Sequence, residues 1–219
     1  MPRLLFEKTG NAVWVSHLDL MRIFQRAFKR AGLQLTHTQG FNPRPSVSIA
    51  LPLSVGVESL CELLDFDLDG DMPTCEDICT RLNETLVEGV RVLKVYEDGL
   101  KLKHLALLDC CVTLEYDAGV PQNAVQDIKA LFSREMLTVE KKGKNGTVQQ
   151  DIIPMIQDLD VTQADGNTLC ITARICCQNP TLNPAQMVAA IAAYLPEYTP
   201  DHSKCRRIEI FDTNGKVFR

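Results

Sequence analysis

Four cationic side chains, Arg22, Arg26, Lys29 and Arg30, are spaced so that only a helix brings them together. At about 100° per residue they share with Asp19 an arc of roughly 100°, while Leu20, Phe24, Ala27, Phe28 and Ala31 fall on the other side. One carboxylate cannot neutralise four cations, so the stripe reads as a ridge for anions, either phosphates or an acidic protein surface. The plainer reading is a solvated face with an i,i+3 Asp19–Arg22 pair, or charges that meet acidic residues elsewhere in the fold. Further on, Gly40-Phe41-Asn42-Pro43-Arg44-Pro45 forms a proline-stiffened loop. Its glycine permits close backbone approach, Asn42 and Arg44 supply donors, and Phe41, if exposed, could stack on a base. A phenylalanine anchored beneath its own loop is the alternative. Gly56, in Leu53-Ser54-Val55-Gly56-Val57-Glu58-Ser59, is a second candidate for close approach, although a turn or bulge would also use it.

Two histidines could act as general acid or base: His17, beside Ser16 and Asp19, and His37, just before the loop. Ser16-His17-x-Asp19 resembles a hydrolytic triad, yet helix capping accounts for its serine and aspartate. Cys75-x-x-x-Cys79 is half of the Cys-x-x-x-Cys-x-x-Cys motif that holds a radical-SAM iron–sulfur cluster, but Leu82 stands at the third position. Cys110-Cys111 and Cys176-Cys177 are adjacent pairs on strand-like segments, so their thiols point to opposite faces and cannot share a zinc ion. No metal site and no cofactor is expected. Walker, G-x-G-x-x-G, H-E-x-x-H and G-x-S-x-G motifs do not occur.

These groups must be carried by an ordinary globular scaffold. The 219 residues are 45% hydrophobic, 23% charged and 6% aromatic, which excludes collagenous, disordered and helical membrane-spanning classes. Net charge is −5, unevenly spread: residues 1–50 hold seven basic and two acidic residues, residues 51–100 three and twelve. The basic surface is therefore local. The opening Met1–Lys8 turns charged too early for a secretory leader, and nine cysteines without a framework suit reduced thiols, so a cytoplasmic protein is expected.

The hydrophobic patterning predicts strands at 3–9, 33–38, 46–53, 60–68 and 90–96, with helices at 16–31 and from Thr74 to Gly89. A second series follows: strands at 108–116, 137–142, 147–159, 168–177 and 206–211, and helices at 121–133 and 184–195, with a turn at Lys144-Asn145-Gly146. The implied fold is α+β, an α/β sandwich of two tandem ferredoxin-like domains, 1–100 and 101–219. Each would have an antiparallel sheet with helices packed on one face.

The residues Phe6-x-Lys8-x-Gly10, Ser16-His17-Leu18-Asp19-Leu20-Met21-Arg22, Arg26-Ala27-Phe28-Lys29-Arg30-Ala31-Gly32-Leu33, Gly40–Pro45 and Leu51–Ser59 resemble a family of uncharacterised bacterial proteins called radical-SAM-linked. The likeness is strong over residues 3–70 and looser beyond. It implies the stand-alone form of an accessory domain whose partner is a separately encoded radical-SAM protein. It implies a site made of Ser16, His17, Asp19, Arg22, Arg26, Arg30, Gly40, Phe41, Asn42, Pro43, Pro45, Gly56 and Glu58, with Lys29 where arginine is more usual. The leading expectation is a non-catalytic module binding a polyanion such as RNA, with no membrane partner. An RNA-processing or RNA-modifying enzyme using His17 or His37, and a pure protein-interaction subunit, are the competing expectations.

Overall fold

The computed structural model describes residues 1–143 and 146–219. It is a mixed α+β protein with antiparallel sheets, and it divides into two compact units, Met1–Leu102 with Arg219, and Lys103–Phe218.

The first unit contains β1 (Arg3–Lys8), α1 (His17–Arg30), β2 (Val47–Ile49), β3 (Val57–Phe66), α2 (Cys75–Asn83) and β4 (Val90–Tyr96). The strands lie in the order β4-β1-β3-β2, each antiparallel to its neighbour. On β1, alternation sends Leu4 and Phe6 toward the helices, where both are fully buried with Leu20, Phe24, Phe28, Leu64 and Phe66. Phe6 meets Phe24 edge-on at 4.7 Å, and Phe28 meets Phe66 at 5.0 Å, so two aromatic pairs seat α1 on the sheet. Thr74 caps α2 by accepting from the Asp77 N–H at 3.2 Å.

The second unit contains β5 (Leu105–Glu115), α3 (Ala124–Phe132), β6 (Thr138–Gly143), β7 (Gly146–Asp151), β8 (Ile156–Gln163), β9 (Thr168–Cys176), α4 (Ala185–Tyr194) and β10 (His202–Asp212). Its main strands run β10-β5-β9-β8, again antiparallel, while β6 and β7 pair with each other. Asn183 opens α4 as its sequence suggests: its side chain accepts from the Ala185 N–H, and its own N–H donates to Gln186. In the turn expected between β6 and β7, Lys144 and Asn145 lie outside the described residues.

Several elements differ from the sequence reading. Residues 33–38 form no strand of the sheet; Leu35 bridges Leu68 and His37 bridges Pro45, so the segment is one leg of a self-paired arm. The predicted 147–159 strand is broken around Pro154, where a 3-10 turn separates β7 from β8. α2 stops at Asn83, because that side chain leaves the helix to bond both the N–H and the C=O of Val92. Gly89 therefore does not end the helix; it lies in the turn just before β4.

Gly89 sits at φ +82°, where an added Cβ would lie 2.4 Å from the Thr9 carbonyl oxygen and 2.9 Å from the Ala12 Cβ. This close approach lets the Thr9 N–H bond the Gly89 carbonyl at 2.8 Å. Gly89→Ala should destabilise the protein by about 2–3 kcal/mol. Gly70→Ala, with similar φ but open space, should cost about 1–2 kcal/mol. Urea denaturation followed by far-UV circular dichroism distinguishes the two.

Candidate functional site

The site begins with a buried ammonium. Lys8 follows Phe6 on the inner side of β1 and is 1% exposed. Its Nζ donates to the carbonyls of Val13 at 3.1 Å and Val15 at 2.9 Å. Those residues flank Trp14, the last residue of a 3-10 turn over Gly10–Trp14. The same turn takes a bond from the Gly56 N–H to the Val13 carbonyl at 2.9 Å, and the Gly10 N–H donates to Glu58 Oε1 at 3.4 Å. Gly56, at φ +84°, has its missing Cβ position 3.6 Å from the Trp14 ring. Trp14 is left 70% exposed.

Directly after this turn Ser16 caps α1. Its Oγ accepts from the Asp19 N–H at 3.2 Å and donates to Asp19 Oδ2 at 2.8 Å. Arg22 donates to Asp19 Oδ1 at 2.8 Å. The hydrogen bonds from Ser16 and Arg22 hold the Asp19 carboxyl below the usual range. Ser16 Oγ thus makes the cap by accepting from the Asp19 N–H, and its own proton goes to the Asp19 carboxylate instead of to His17.

The basic stripe faces solvent. Arg22 is engaged by Asp19, and Arg30 donates to the Thr85 carbonyl just beyond α2 at 2.6 Å. Arg26 and Lys29 are exposed, and among the described residues neither meets a carboxylate. Several acids of residues 51–100 are engaged elsewhere: Glu58 with the Gly10 N–H, Asp65 with Arg3, Asp67 with Thr36 and Asp77 with Arg81.

The Gly40–Pro45 loop is the tip of the arm. The Ser46 N–H bonds the Thr36 carbonyl, the Thr38 N–H bonds the Arg44 carbonyl, and the Thr38 Oγ1 accepts from the Arg44 N–H. Gly40 has φ +130°. Phe41 is fully exposed instead of anchored, and Asn42, Pro43 and Arg44 are exposed beside it.

The residues expected to make one site therefore fall at two ends of α1. Ser16, His17, Asp19, Gly56 and Glu58 lie at its start; His37 and Gly40–Pro45 leave from its finish. The fourteen residues of α1, about 20 Å of helix, stand between the two groups along the chain. Lys8 and Trp14 were not singled out as site residues. A charge following Leu4 and Phe6 in strand alternation, and a lone tryptophan two residues before a capping serine, were the available signals.

Among the described residues no three His, Cys, Asp or Glu side chains are grouped to hold an ion. Burial pushes the Cys79, Cys110 and Cys176 thiols up, Cys177 and Cys205 to about 11, and Cys170, which also shares a hydrogen bond with the free thiol of Cys111, to about 12. No described helix is long and apolar enough to cross a membrane.

Residues 2–184 match a family described as "Uncharacterized protein conserved in bacteria (DUF2344)". No curated protein matches the chain. Among solved structures, a Cbf5–Nop10–Gar1 complex is similar with a TM-score of 0.53 and 8% identity, over 97% of this chain and 50% of that one. An archaeal box H/ACA sRNP Nop10–Cbf5 complex is similar with a TM-score of 0.46 and 9% identity, over 94% and 46%. The present chain spans about half the length of these two, and the likeness to the first is one of fold alone.

Ser16→Ala should destabilise the protein by about 1 kcal/mol at neutral pH through loss of the cap, whereas Arg26→Ala and Lys29→Ala should change stability by less than about 0.5 kcal/mol. Because Asp19 is held below its usual range, its part of the cap is fully present above about pH 4 and lost as pH falls through the depressed value. The Ser16→Ala deficit should therefore narrow in acid, which denaturation at pH 7 and pH 3 tests.

Proposed function

The chain belongs to this bacterial family of uncharacterised proteins, and we propose that it is a non-catalytic cytoplasmic module. It would hold a polyanion of the RNA class on the exposed face of α1 for a separately encoded radical-SAM enzyme. The observation that carries the reading is Arg26 and Lys29 standing exposed beside Arg22, with no carboxylate partner among the described residues. Neighbouring unpaired cations on a rigid helix raise the local concentration of phosphates and release counterions when one binds. Arg44 and Asn42 on the arm extend the donor set beyond the end of the helix.

The radical-SAM partner follows from the sequence resemblance over residues 3–70 and from Leu82 at the third cluster position of α2. The finer fold reading, two ferredoxin-like domains at 1–100 and 101–219, is supported by the strand order. Both β4-β1-β3-β2 and β10-β5-β9-β8 follow from a split β-α-β plan, the second with a hairpin inserted. For the competing enzymatic reading, no hydrogen bond among the described residues joins His17, the first residue of α1, to His37, which bridges Pro45.

The test is binding of structured and unstructured RNA by the full chain across a salt series. Arg26→Glu/Lys29→Glu should lower affinity at 0.15 M salt at least about ten-fold and flatten the log–log salt slope by about 1.4. Unchanged affinity, or binding indifferent to salt, overturns the RNA reading. Co-purification of a protein that survives RNase treatment and fails in the double variant transfers the face to an acidic protein partner. Metal-free RNA cleavage abolished by His17→Ala overturns the non-catalytic assignment.

A further inference from the structure

Resting on that reading, we infer that Trp14 is a stacking platform for a base of single-stranded nucleic acid, and that the strand continues from it along α1. Trp14 is the chain's sole tryptophan, and the fold presents it to solvent when it could have buried it. Bonds to both flanking carbonyls hold it there: Lys8 binds those of Val13 and Val15, and Gly56 binds that of Val13. The Trp14 ring lies against Gly56, whose missing Cβ position is 3.6 Å from it, an ordinary packing distance. A flat, rigidly mounted indole with solvent beside it suits a flat, apolar guest.

The ridge that starts there has a direction. At about 100° per residue, Leu18, Arg22, Gln25 and Lys29 lie within an arc of roughly 60°. Leu18 is 66% exposed, and Arg22 and Lys29 are exposed as well. The side of α1 nearest α2 is a different one: Ala27 accepts from Thr85 Oγ1, and Arg30 donates to the Thr85 carbonyl. From Leu18 to Lys29 the helix rises about 16 Å, the length of some five stacked nucleotides at about 3.4 Å each. At the far end the arm presents Phe41, fully exposed beside Arg44. An aromatic, then a run of cations, then a second aromatic is the pattern by which single strands are held: bases stack and phosphates track the charge.

The same pattern selects against other guests. A duplex keeps its bases inside and offers the ridge phosphates alone, leaving Trp14 and Phe41 without partners. An acidic peptide satisfies Arg22 and Lys29 but brings carboxylates to an indole whose ring face is electronegative.

The experiment titrates the full chain with a 12-nucleotide uridine or adenosine oligoribonucleotide, a hairpin duplex of matched charge, and poly-glutamate. It follows tryptophan emission, which comes from residue 14 alone, together with the anisotropy of labelled RNA. Saturable quenching by the single strand and little by the duplex is the expected result. Trp14→Ala should weaken single-strand binding about ten-fold and duplex binding less than two-fold, while Trp14→Phe retains most of the affinity. Far-UV circular dichroism confirms that both variants fold. Wild-type binding of RNA with unmoved emission and undiminished Trp14→Ala affinity overturns the stacking role and leaves the charged face standing. No RNA binding at all removes both. Quenching by poly-glutamate without quenching by RNA overturns the inference in favour of an acidic protein segment.

Discussion

An ammonium group removed from water is unfavourable by several kcal/mol unless polar partners replace its hydration. Lys8 is such a group, and two carbonyls from the turn that follows β1 are among its partners. Because the carbonyls belong to Val13 and Val15, satisfying the charge also fixes the chain on both sides of Trp14. The turn then delivers Ser16 in the extended conformation a cap requires, with φ −69° and ψ 161°. Once the first helical residue is set, the 3.6-residue period decides which side chains face the sheet. Phe24 and Phe28 meet Phe6 and Phe66, and the cations have nowhere to point but outward. The basic face is thus a consequence of packing on its reverse side, with its starting phase set by one buried lysine.

Sequence reasoning reached α1 fully, because its apolar spacing, its cap and its terminal glycine all agree. It also reached the start of α2, where Thr74 makes the cap. It failed where tertiary contacts compete with local pattern. Leu33 and Leu35 alternate as in a strand, but Gly40, Pro43 and Pro45 fold the chain back, so the segment makes only isolated bridges, Leu35 with Leu68 just after β3 and His37 with Pro45 across the arm. α3 was expected from Pro121 and starts at Ala124, after Asn123 takes a left-handed conformation at φ 65°. The site was harder still. The family resemblance groups its residues into one site, and α1 stands between the two parts of that group along the chain. Lys8 was invisible as an organiser because a charge at a strand end ordinarily signals solvent.

The two units solve the same packing problem with different residues. Each places two helices on one antiparallel sheet with the strand nearest the chain's entry in a central position. In the second unit the hairpin β6–β7 departs from that plan and is tied down locally: Tyr194 donates to the Thr138 carbonyl, and Asp151 accepts from the Leu137 N–H. A two-stranded ribbon needs such anchors, since it has too little apolar surface to persist alone. The second unit also differs in its polar links, with the Tyr116 hydroxyl donating to the Tyr198 carbonyl at 2.9 Å. Shared architecture without shared side chains is what close packing permits when volume and pattern are kept.

The raised thiols have a bearing of their own. Only a thiolate attacks an electrophile or a peroxide, and a thiol near 11 ionises to about one part in ten thousand at neutral pH. Much of this sulfur-rich chain is therefore chemically quiet. A cysteine engineered onto the outer face of α1 would be alkylated far ahead of Cys177 or Cys205, so a spin label or cross-linker could be placed there with those two thiols left untouched.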